Sequence, residues 1–199
     1  MKKLVLAIAA VAMIGLPAWA ALKVGDQAPD FTAKGSLAGK EFTFSLKRAL
    51  RKGPVVVYFY PSAYTQGCDI EAHTFAENKD KFDAAGATII GVSEDSLERL
   101  NQFSADPNYC AGKFPVASDA DGKIAAMYDL TTSAGRPGMK DVRGVDIDHG
   151  FIERETFVIG KDGTIVAAFS SKEDKVTPEQ HVEKSLEVVQ QLTSAKQGN

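Results

Sequence analysis

The sequence has few of the residues that hold metal ions or build disulfide frameworks. Its 199 residues include two cysteines, Cys68 and Cys110, and three histidines. The histidines at 73, 149 and 181 are far apart and lack any paired spacing, so we expect no metal site. The Cys-x-x-Cys pair typical of disulfide oxidoreductases is also missing. Any cysteine chemistry must therefore come from two thiols well separated in the sequence.

Strong charge and long apolar segments are scarce as well. The formal net charge is −3, which gives the chain no electrostatic reason to bind nucleic acid. The one apolar run, at 4–16, is shorter than the about 20 residues that a membrane span needs. It follows Lys2-Lys3 and precedes Ala18-Trp19-Ala20, which is the pattern of a cleavable export signal. An uncleaved anchor is the alternative.

This pattern predicts the domain organisation and the location of the protein. We expect residues 1–20 to be a cleaved signal peptide and residues 21–199 to form one domain, with no membrane attachment after cleavage. Loss of the two lysines at positions 2 and 3 would move the net charge from −3 to −5. The predicted location is the periplasm of a Gram-negative-type cell.

The rest of the chain alternates between strand and helix patterns. The predicted strands are 55–60, 88–92, 114–117, 156–159 and 164–169, and the predicted helices are 68–82, 96–104, 123–128 and 178–192. A turn at Asp162-Gly163 joins the last two strands, and a further hairpin is expected around Gly39 in an N-terminal extension. This order favours an α/β, thioredoxin-like fold, in which helices flank a central mixed sheet.

The first cysteine stands at a position suited to thiolate chemistry. The run 55–60 is β-branched and aromatic, as in a buried strand, and Pro61 ends it. Thr65 stands three residues before Cys68, the spacing of an N-cap hydroxyl to the third helical N–H. Cys68 then lies in the first turn of a helix, where the helix dipole lowers a thiol pKa below about 8.5. A small, buried, unreactive cysteine is the alternative.

These residues resemble a known motif. The spacing Pro61-x-x-x-Thr65-x-x-Cys68 resembles the peroxidatic motif of the peroxiredoxins, thiol peroxidases of thioredoxin-like fold. Thr65-Gln-Gly-Cys68, followed by Glu71-Ala72, is most similar to the bacterioferritin-comigratory, or Q-type, subgroup. The stretches 24–31, 114–123 and 154–163 are similar to parts of that family and occur in its order.

The resemblance implies roles for the residues of the motif. Cys68 would attack the peroxide and become a sulfenic acid. Thr65 would hydrogen-bond both the thiolate and the peroxide, and the backbone N–H groups of Gly67 and Cys68 would stabilise developing charge. Pro61 would shield the sulfur from water, although the residue pattern alone makes it only the end of a strand.

Two charged residues outside the motif complete the implied site. Arg154, just before the strand 156–159, matches the family's catalytic arginine, although a solvated charge at a strand end also fits the pattern. Glu71, one turn after Cys68, is in a position to orient that arginine, but a solvated helix face explains it nearly as well.

Three interpretations of Cys110 remain open. Q-type relatives often carry a resolving cysteine five positions after the peroxidatic one, where this chain has His73. Other members of the group resolve from a helix further along the chain, and Cys110 follows the predicted helix 96–104. We therefore favour Cys110 as the resolving cysteine over a bystander or a structural disulfide. A structural disulfide to Cys68 would close a loop worth about 4 kcal/mol.

The function implied by the resemblance is an exported thiol peroxidase that reduces hydrogen peroxide or small organic hydroperoxides without metal or cofactor. Its reductant would be a thioredoxin-like or other thiol, and the protein would be a monomer or homodimer. Two alternatives are an exported thiol–disulfide oxidoreductase, which the absence of Cys-x-x-Cys disfavours, and a non-enzymatic thioredoxin-like module with a structural disulfide.

Overall fold

A seven-stranded mixed sheet forms the centre of the structure, a computed structural model that describes residues 21–197. The predicted signal peptide at 1–20 lies outside the described residues. In the described part the elements are β1 (Thr32–Leu37), β2 (Lys40–Ser45), α1 (Leu46–Leu50), β3 (Val55–Phe59), α2 (Gln66–Ala84), β4 (Thr88–Ser93), α3 (Leu97–Ala105), β5 (Val116–Ser118), α4 (Lys123–Met127), β6 (Thr132–Ser133), β7 (Phe151–Ile152), β8 (Glu155–Ile159), β9 (Ile165–Ser170) and α5 (Pro178–Gln197). Among these helices, none has both the length and the apolar character needed to cross a bilayer.

All the predicted strands and helices are present, and their bounds differ most at the end of α5, at both ends of α2 and at the start of β5. The turn at Asp162-Gly163 and the hairpin at Gly39, between β1 and β2, are confirmed. The sequence did not predict α1 or the small β6–β7 pair. Five-residue helices and two-residue strands are too short to show a hydrophobic period, so they leave little trace in the sequence.

The sheet is buried on both faces, and β3 shows why. All five residues of β3 are buried, and successive side chains point to opposite faces. Val56 and Tyr58 pack in one hydrophobic cluster with residues of α2, α3 and α5, while Val55, Val57 and Phe59 pack in a second cluster with residues of α1 and α4. The predicted arrangement of a mixed sheet flanked by helices is therefore confirmed.

The register of the central strands brings distant parts of the chain to one end of the sheet. The sheet order is β2-β1-β5-β4-β3-β8-β9, in which β3 runs parallel to β4 and antiparallel to β8. Phe59 at the end of β3 pairs with Val92 of β4 and with Glu155 of β8. The loops that follow β3 and β4 therefore meet the residues just before β8, which include Arg154.

Burial of Glu155 makes the stability of the fold depend on pH. Its carboxyl is 4% exposed, and burial raises its pKa to about 7, with Glu153, Asp174 and Glu173 adding to the shift against a hydrogen bond from Ser170. Between pH about 4.5 and 7 the folded chain keeps a proton that the unfolded chain has released. Stability from this group is therefore present below pH 4.5 and is lost as the pH rises through 7.

We predict that Glu155→Gln raises the free energy of unfolding at pH 8 by as much as about 3 kcal/mol, with little change at pH 4.5. The reason is that glutamine does not ionise in the buried site. Urea unfolding at a series of pH values measures this, with exposed Glu187→Gln as the charge-matched control. Equal gains at pH 4.5 and pH 8 would contradict the prediction.

Candidate active site

Backbone geometry places Cys68 in the first turn of α2, as the sequence predicted. The chain leaves β3 with the Tyr60 N–H donating to the Val92 carbonyl at 3.0 Å, and α2 begins at Gln66. Between them Tyr64 adopts a left-handed backbone with φ of 60°, which makes the loop turn sharply. Cys68 is the third residue of α2 and is 2% exposed.

Thr65 is the N-cap residue of α2, but the predicted hydroxyl cap is wrong. Its backbone is extended and its carbonyl accepts the Asp69 N–H at 2.8 Å, whereas its hydroxyl donates to the Ser62 carbonyl at 2.8 Å. The sharp loop leaves that carbonyl in need of a donor, and the threonine hydroxyl supplies it. The Thr65 side chain still lies near Cys68, where it acts to lower the pKa of the thiol.

Two charged side chains lie beside the cysteine: Arg154, from the segment just before β8, and Glu71, from α2. Arg154 Nη2 donates to Cys68 Sγ at 3.1 Å, and Arg154 Nη1 donates to Glu71 Oε2. Glu71 is fully buried and the Arg154 side chain is 10% exposed, so neither is a solvated surface charge. Gly67 allows this approach, because a Cβ there would lie 3.3 Å from Arg154 Nη2.

The pKa of Cys68 departs from the value expected from sequence. Burial raises it above the ordinary thiol value, although Arg154, Thr65 and a backbone hydrogen bond involving Ser62 act to lower it, and the Glu71 charge raises it further. The expectation of a pKa below about 8.5 is therefore wrong for this closed geometry. The sequence placed the cysteine at the helix end correctly but gave no measure of how completely the fold would bury it.

The positive charge of the site is carried by Arg154, which stays protonated. Burial acts to lower the pKa of Arg154, but Glu71 and Cys68 raise it more, so the guanidinium remains a cation. Burial raises the pKa of Glu71 to about 7 even though Arg154 acts to lower it. A thiolate formed at Cys68 therefore meets a permanent positive charge already in hydrogen-bond contact with the sulfur.

The roles predicted for Cys110 in resolving and for Pro61 in shielding stay predictions. Cys110 is fully buried between α3 and β5, and both cysteines are free thiols. Burial raises the pKa of Cys110 well above its ordinary value. Pro61 follows β3 and is half-buried. Its shielding of the sulfur stays a prediction, as do the roles of the Gly67 and Cys68 N–H groups.

A buried carboxylate that the sequence reasoning missed holds the loop before Cys68. Asp95, fully buried after β4, accepts hydrogen bonds from the Ala63 N–H at 2.8 Å and the Ser62 hydroxyl at 3.1 Å. It also forms ion pairs of 2.8 Å with Arg99 and with His149. The i, i+4 spacing of Asp95 and Arg99 was the only trace of this network in the sequence.

His149 is a member of the same network, although its position in the sequence indicated no role for it. Its Nε2 lies 2.8 Å from Asp95 Oδ1 and its Nδ1 lies 2.6 Å from the Gly150 carbonyl oxygen, so both ring nitrogens face acceptors. Burial acts to lower the pKa of His149, but the hydrogen bond to Asp95, the charge of Asp95 and the Gly150 carbonyl together outweigh it, and the pKa is raised. Within the described residues, no cluster of three or more His, Cys, Asp or Glu side chains is arranged to hold a metal.

A second contact fixes the same loop from outside. The guanidinium of Arg143 lies 3.2 Å from the centre of the Tyr64 ring, and the Val142 N–H donates to the Tyr64 carbonyl at 3.0 Å. Asp141 pairs with both Arg143 and Arg99, at 2.8 and 2.9 Å. The Gly- and Asp-rich segment 133–150 thus reaches the loop that carries the cysteine.

We predict that Arg154→Ala slows the reaction of Cys68 with peroxide by about 10²–10³, because a preorganised donor to the sulfur is lost. The pKa of Cys68 should rise in the same variant. Stopped-flow peroxide consumption and thiolate absorbance measure the two effects. In Arg154→Ala alone the Glu71 carboxylate is left buried without its partner, so the double variant with Glu71→Gln shows how much of the effect comes from that carboxylate. Arg48→Ala, at an exposed position, is the control for the loss of an arginine. Unchanged peroxide reactivity in Arg154→Ala would contradict the prediction.

Known proteins that are similar to this chain in sequence and in fold come from one family. The model of the AhpC/TSA family matches residues 24–168. The chain is 31% identical to peroxiredoxin Bcp of Bacillus subtilis over 173 residues, which cover 86% of this chain and 98% of that protein. Among solved structures, peroxidoxin BcpB of Mycobacterium tuberculosis superposes with a TM-score of 0.69 at 28% identity, covering 85% of this chain and 97% of the other. The bacterioferritin comigratory protein of Xanthomonas campestris gives a TM-score of 0.61 at 30% identity, with 80% and 91% covered.

Proposed function

Because this chain belongs to the AhpC/TSA family and is a peroxiredoxin, a thiol-dependent peroxidase, we propose that Cys68 is the thiol that reduces the peroxide. The observation that carries the proposal is the contact of 3.1 Å between Arg154 Nη2 and Cys68 Sγ. The fold is the thioredoxin-like fold expected from the sequence, and the similarity to Bcp and Q-type relatives is as predicted.

The first step needs only the residues around Cys68. The thiolate attacks the terminal peroxide oxygen and the O–O bond breaks. The departing oxygen takes up a proton, equal to the one released when the thiolate formed, so the products are a sulfenic acid and water or an alcohol. Arg154 stabilises the thiolate and then the charge that develops on the departing oxygen. The Thr65 hydroxyl would have to leave the Ser62 carbonyl in order to donate to the peroxide.

The substrates we propose are hydrogen peroxide and small organic hydroperoxides. Cys68 is 2% exposed, which favours small molecules that need little space at the sulfur. The related Xanthomonas protein is described by its alkyl peroxide reduction activity, which supports organic hydroperoxides as a second class. Thioredoxin-like or other thiols would return the enzyme to its reduced state.

We propose Cys110 as the resolving cysteine. Its thiol would attack the sulfenic acid and form a Cys68–Cys110 disulfide with release of water. Both cysteines are buried, so the first turn of α2 and the loop before β5 must open locally for the sulfurs to meet at about 2 Å. The structural-disulfide alternative requires no free thiols in the resting protein, whereas a reduced peroxidase has two.

We predict that reduced protein treated with one equivalent of peroxide forms an intramolecular Cys68–Cys110 disulfide, detected by non-reducing peptide mass spectrometry. Cys110→Ser should react once, accumulate sulfenic acid and then over-oxidise, because no second thiol is present. Cys68→Ser should consume no peroxide. Over-oxidised Cys68 beside a free Cys110 in the wild type would indicate a one-cysteine enzyme served by an external thiol.

Export is the remaining part of the proposal, and it rests on the sequence pattern of residues 1–20. Expressed in a Gram-negative cell, the full chain should appear in the periplasmic fraction with Ala21 at its N-terminus, because signal peptidase cleaves after a small-x-small pattern. N-terminal sequencing and fractionation measure this. A chain with residues 2–20 deleted is the control and should stay inside the cell. Full-length protein in the membrane fraction would indicate an uncleaved anchor.

A further inference from the structure

Asp69, the residue after Cys68, is a buried carboxylate that the peroxide reaction does not use. It lies in the first turn of α2 and is 8% exposed. Its Oδ1 is buried and has no hydrogen-bond partner among the described residues. Most buried polar atoms in folded proteins have a partner, so a carboxylate oxygen without one indicates either a cost to stability or a function.

The face of α2 that carries Asp69 packs against the segment that holds the second cysteine. Asp69, His73 and Ala76 lie at positions i, i+4 and i+7 of the helix and so share one face. His73 Nδ1 lies 2.9 Å from the Asn108 carbonyl oxygen, and the Ala76 carbonyl accepts from Lys113 Nζ at 3.0 Å. The second cysteine lies between those two contacts in the chain.

Besides burial, the negative charge of Asp69 acts on the thiol of Cys110 and raises its pKa. Burial is the largest cause of the raised pKa of Cys110, followed by the carboxylates of Asp106 and Asp69. Asp106 Oδ1 already accepts the Asn108 backbone N–H at 2.9 Å and its side-chain amide at 3.1 Å. Of these two carboxylates, only Asp69 has a buried oxygen without a hydrogen-bond partner among the described residues.

This thiol needs a base in order to react. A thiolate is the attacking form in disulfide chemistry, and a buried thiol with a raised pKa supplies very little of it at neutral pH. Burial raises the pKa of Asp69 to about 7, with Asp141 and Asp106 adding to the shift and the Tyr64 N–H and Arg143 opposing it. A carboxylate with a pKa near the working pH is well suited to proton transfer.

We propose that Asp69 is the general base of the second step: it takes the proton from Cys110 in the closed structure, and the resulting thiolate attacks the sulfenic acid at Cys68 once the first turn of α2 opens. The inference rests on the proposed role of Cys110 as the resolving cysteine. The S–S bond forms as the S–O bond of the sulfenic acid breaks, and the departing hydroxide takes up the proton released from Cys110. The products are one disulfide and one water, and no other oxidant or reductant takes part.

Replacing each of the two carboxylates in turn separates two roles for Asp69. A role as a base and a role as a simple charge predict opposite changes in the rate of disulfide formation. Asp69 and Asp106 both raise the pKa of Cys110, so if each acted only as a charge, removing either would favour the thiolate and speed disulfide formation. If Asp69 is a base, Asp69→Asn slows this step at least about tenfold, while Asp106→Asn leaves it equal or faster. Asp69→Glu, which keeps a carboxylate, should recover part of the rate.

The measurement follows single turnovers of reduced protein mixed with one equivalent of hydrogen peroxide. Samples are quenched with acid, alkylated, and analysed for sulfenic acid and Cys68–Cys110 disulfide by non-reducing peptide mass spectrometry. Peroxide loss is recorded separately, so that a defect in the first step or in folding of a variant is seen as such. In the Asp69→Asn variant, sulfenic acid should accumulate before the disulfide forms.

The wild-type pH profile gives a second measurement that does not depend on any variant folding. Catalysis by Asp69 predicts a rate of disulfide formation that rises with pH to about 7 and then levels off, because the base is the ionised carboxylate. The groups around it are Asp141 and Arg143 from the segment 133–150 and Asp106, Tyr109 and Cys110 from the loop before β5. Without a base, the rate should rise about tenfold per pH unit towards the raised pKa of the Cys110 thiol.

The outcomes separate this inference from the proposed function. Disulfide formation in Asp69→Asn at the wild-type rate or faster, or a wild-type rate that keeps rising above pH 8, overturns the role of Asp69 and leaves Cys110 as the resolving cysteine. A wild type that consumes peroxide but forms no Cys68–Cys110 disulfide overturns both. Slow disulfide formation in Asp69→Asn, with a wild-type rate in Asp106→Asn, supports the inference.

Discussion

The site depends on a buried ion pair between Glu71 and Arg154. A single charge in the interior costs several kcal/mol, so each of these groups needs the other. Glu71 belongs to α2 and Arg154 precedes β8, so their pairing fastens the start of the helix to the end of the sheet. Because the same guanidinium also donates to Cys68, the interaction that closes the structure here is the one that supplies positive charge to the sulfur.

A second buried charge, on Asp95, plays the corresponding part on the other side of the loop. It accepts hydrogen bonds from Ser62 and Ala63 and pairs with Arg99 and His149, so the loop between β3 and α2 is held from β4, from α3 and from the segment before β7. The left-handed backbone of Tyr64 costs free energy, and these contacts hold it in place. Because the loop between β3 and α2 is held rigidly by these contacts, we expect the local opening to occur in the first turn of α2, which carries Cys68.

The burial of both cysteines connects the structure to its chemistry. Complete burial raises the pKa of each thiol, which protects the resting protein from indiscriminate reaction but requires charge and bases to be supplied locally. Arg154 supplies the positive charge at Cys68. On the opposite face of the first turn of α2, Asp69 lies towards the segment that holds Cys110. Cys68 therefore meets a cation from the segment before β8, while a carboxylate of its own helical turn faces the segment that holds Cys110.

The order of the longer strands and helices, the place of Cys68 in the first turn of a helix, and the family could all be predicted from the sequence alone. Those properties follow from short-range pattern, namely hydrophobic period, proline and glycine positions, and the spacing of Pro61, Thr65 and Cys68. The packed structure was needed to show that Glu71 pairs with Arg154 and does not face solvent, that Asp95 and His149 hold the loop, and that the Thr65 hydroxyl bonds to Ser62. These contacts join residues whose separation along the chain bears no relation to their distance in space. The thiol pKa values belong with them, since the extent of burial depends on how the helices pack on the sheet.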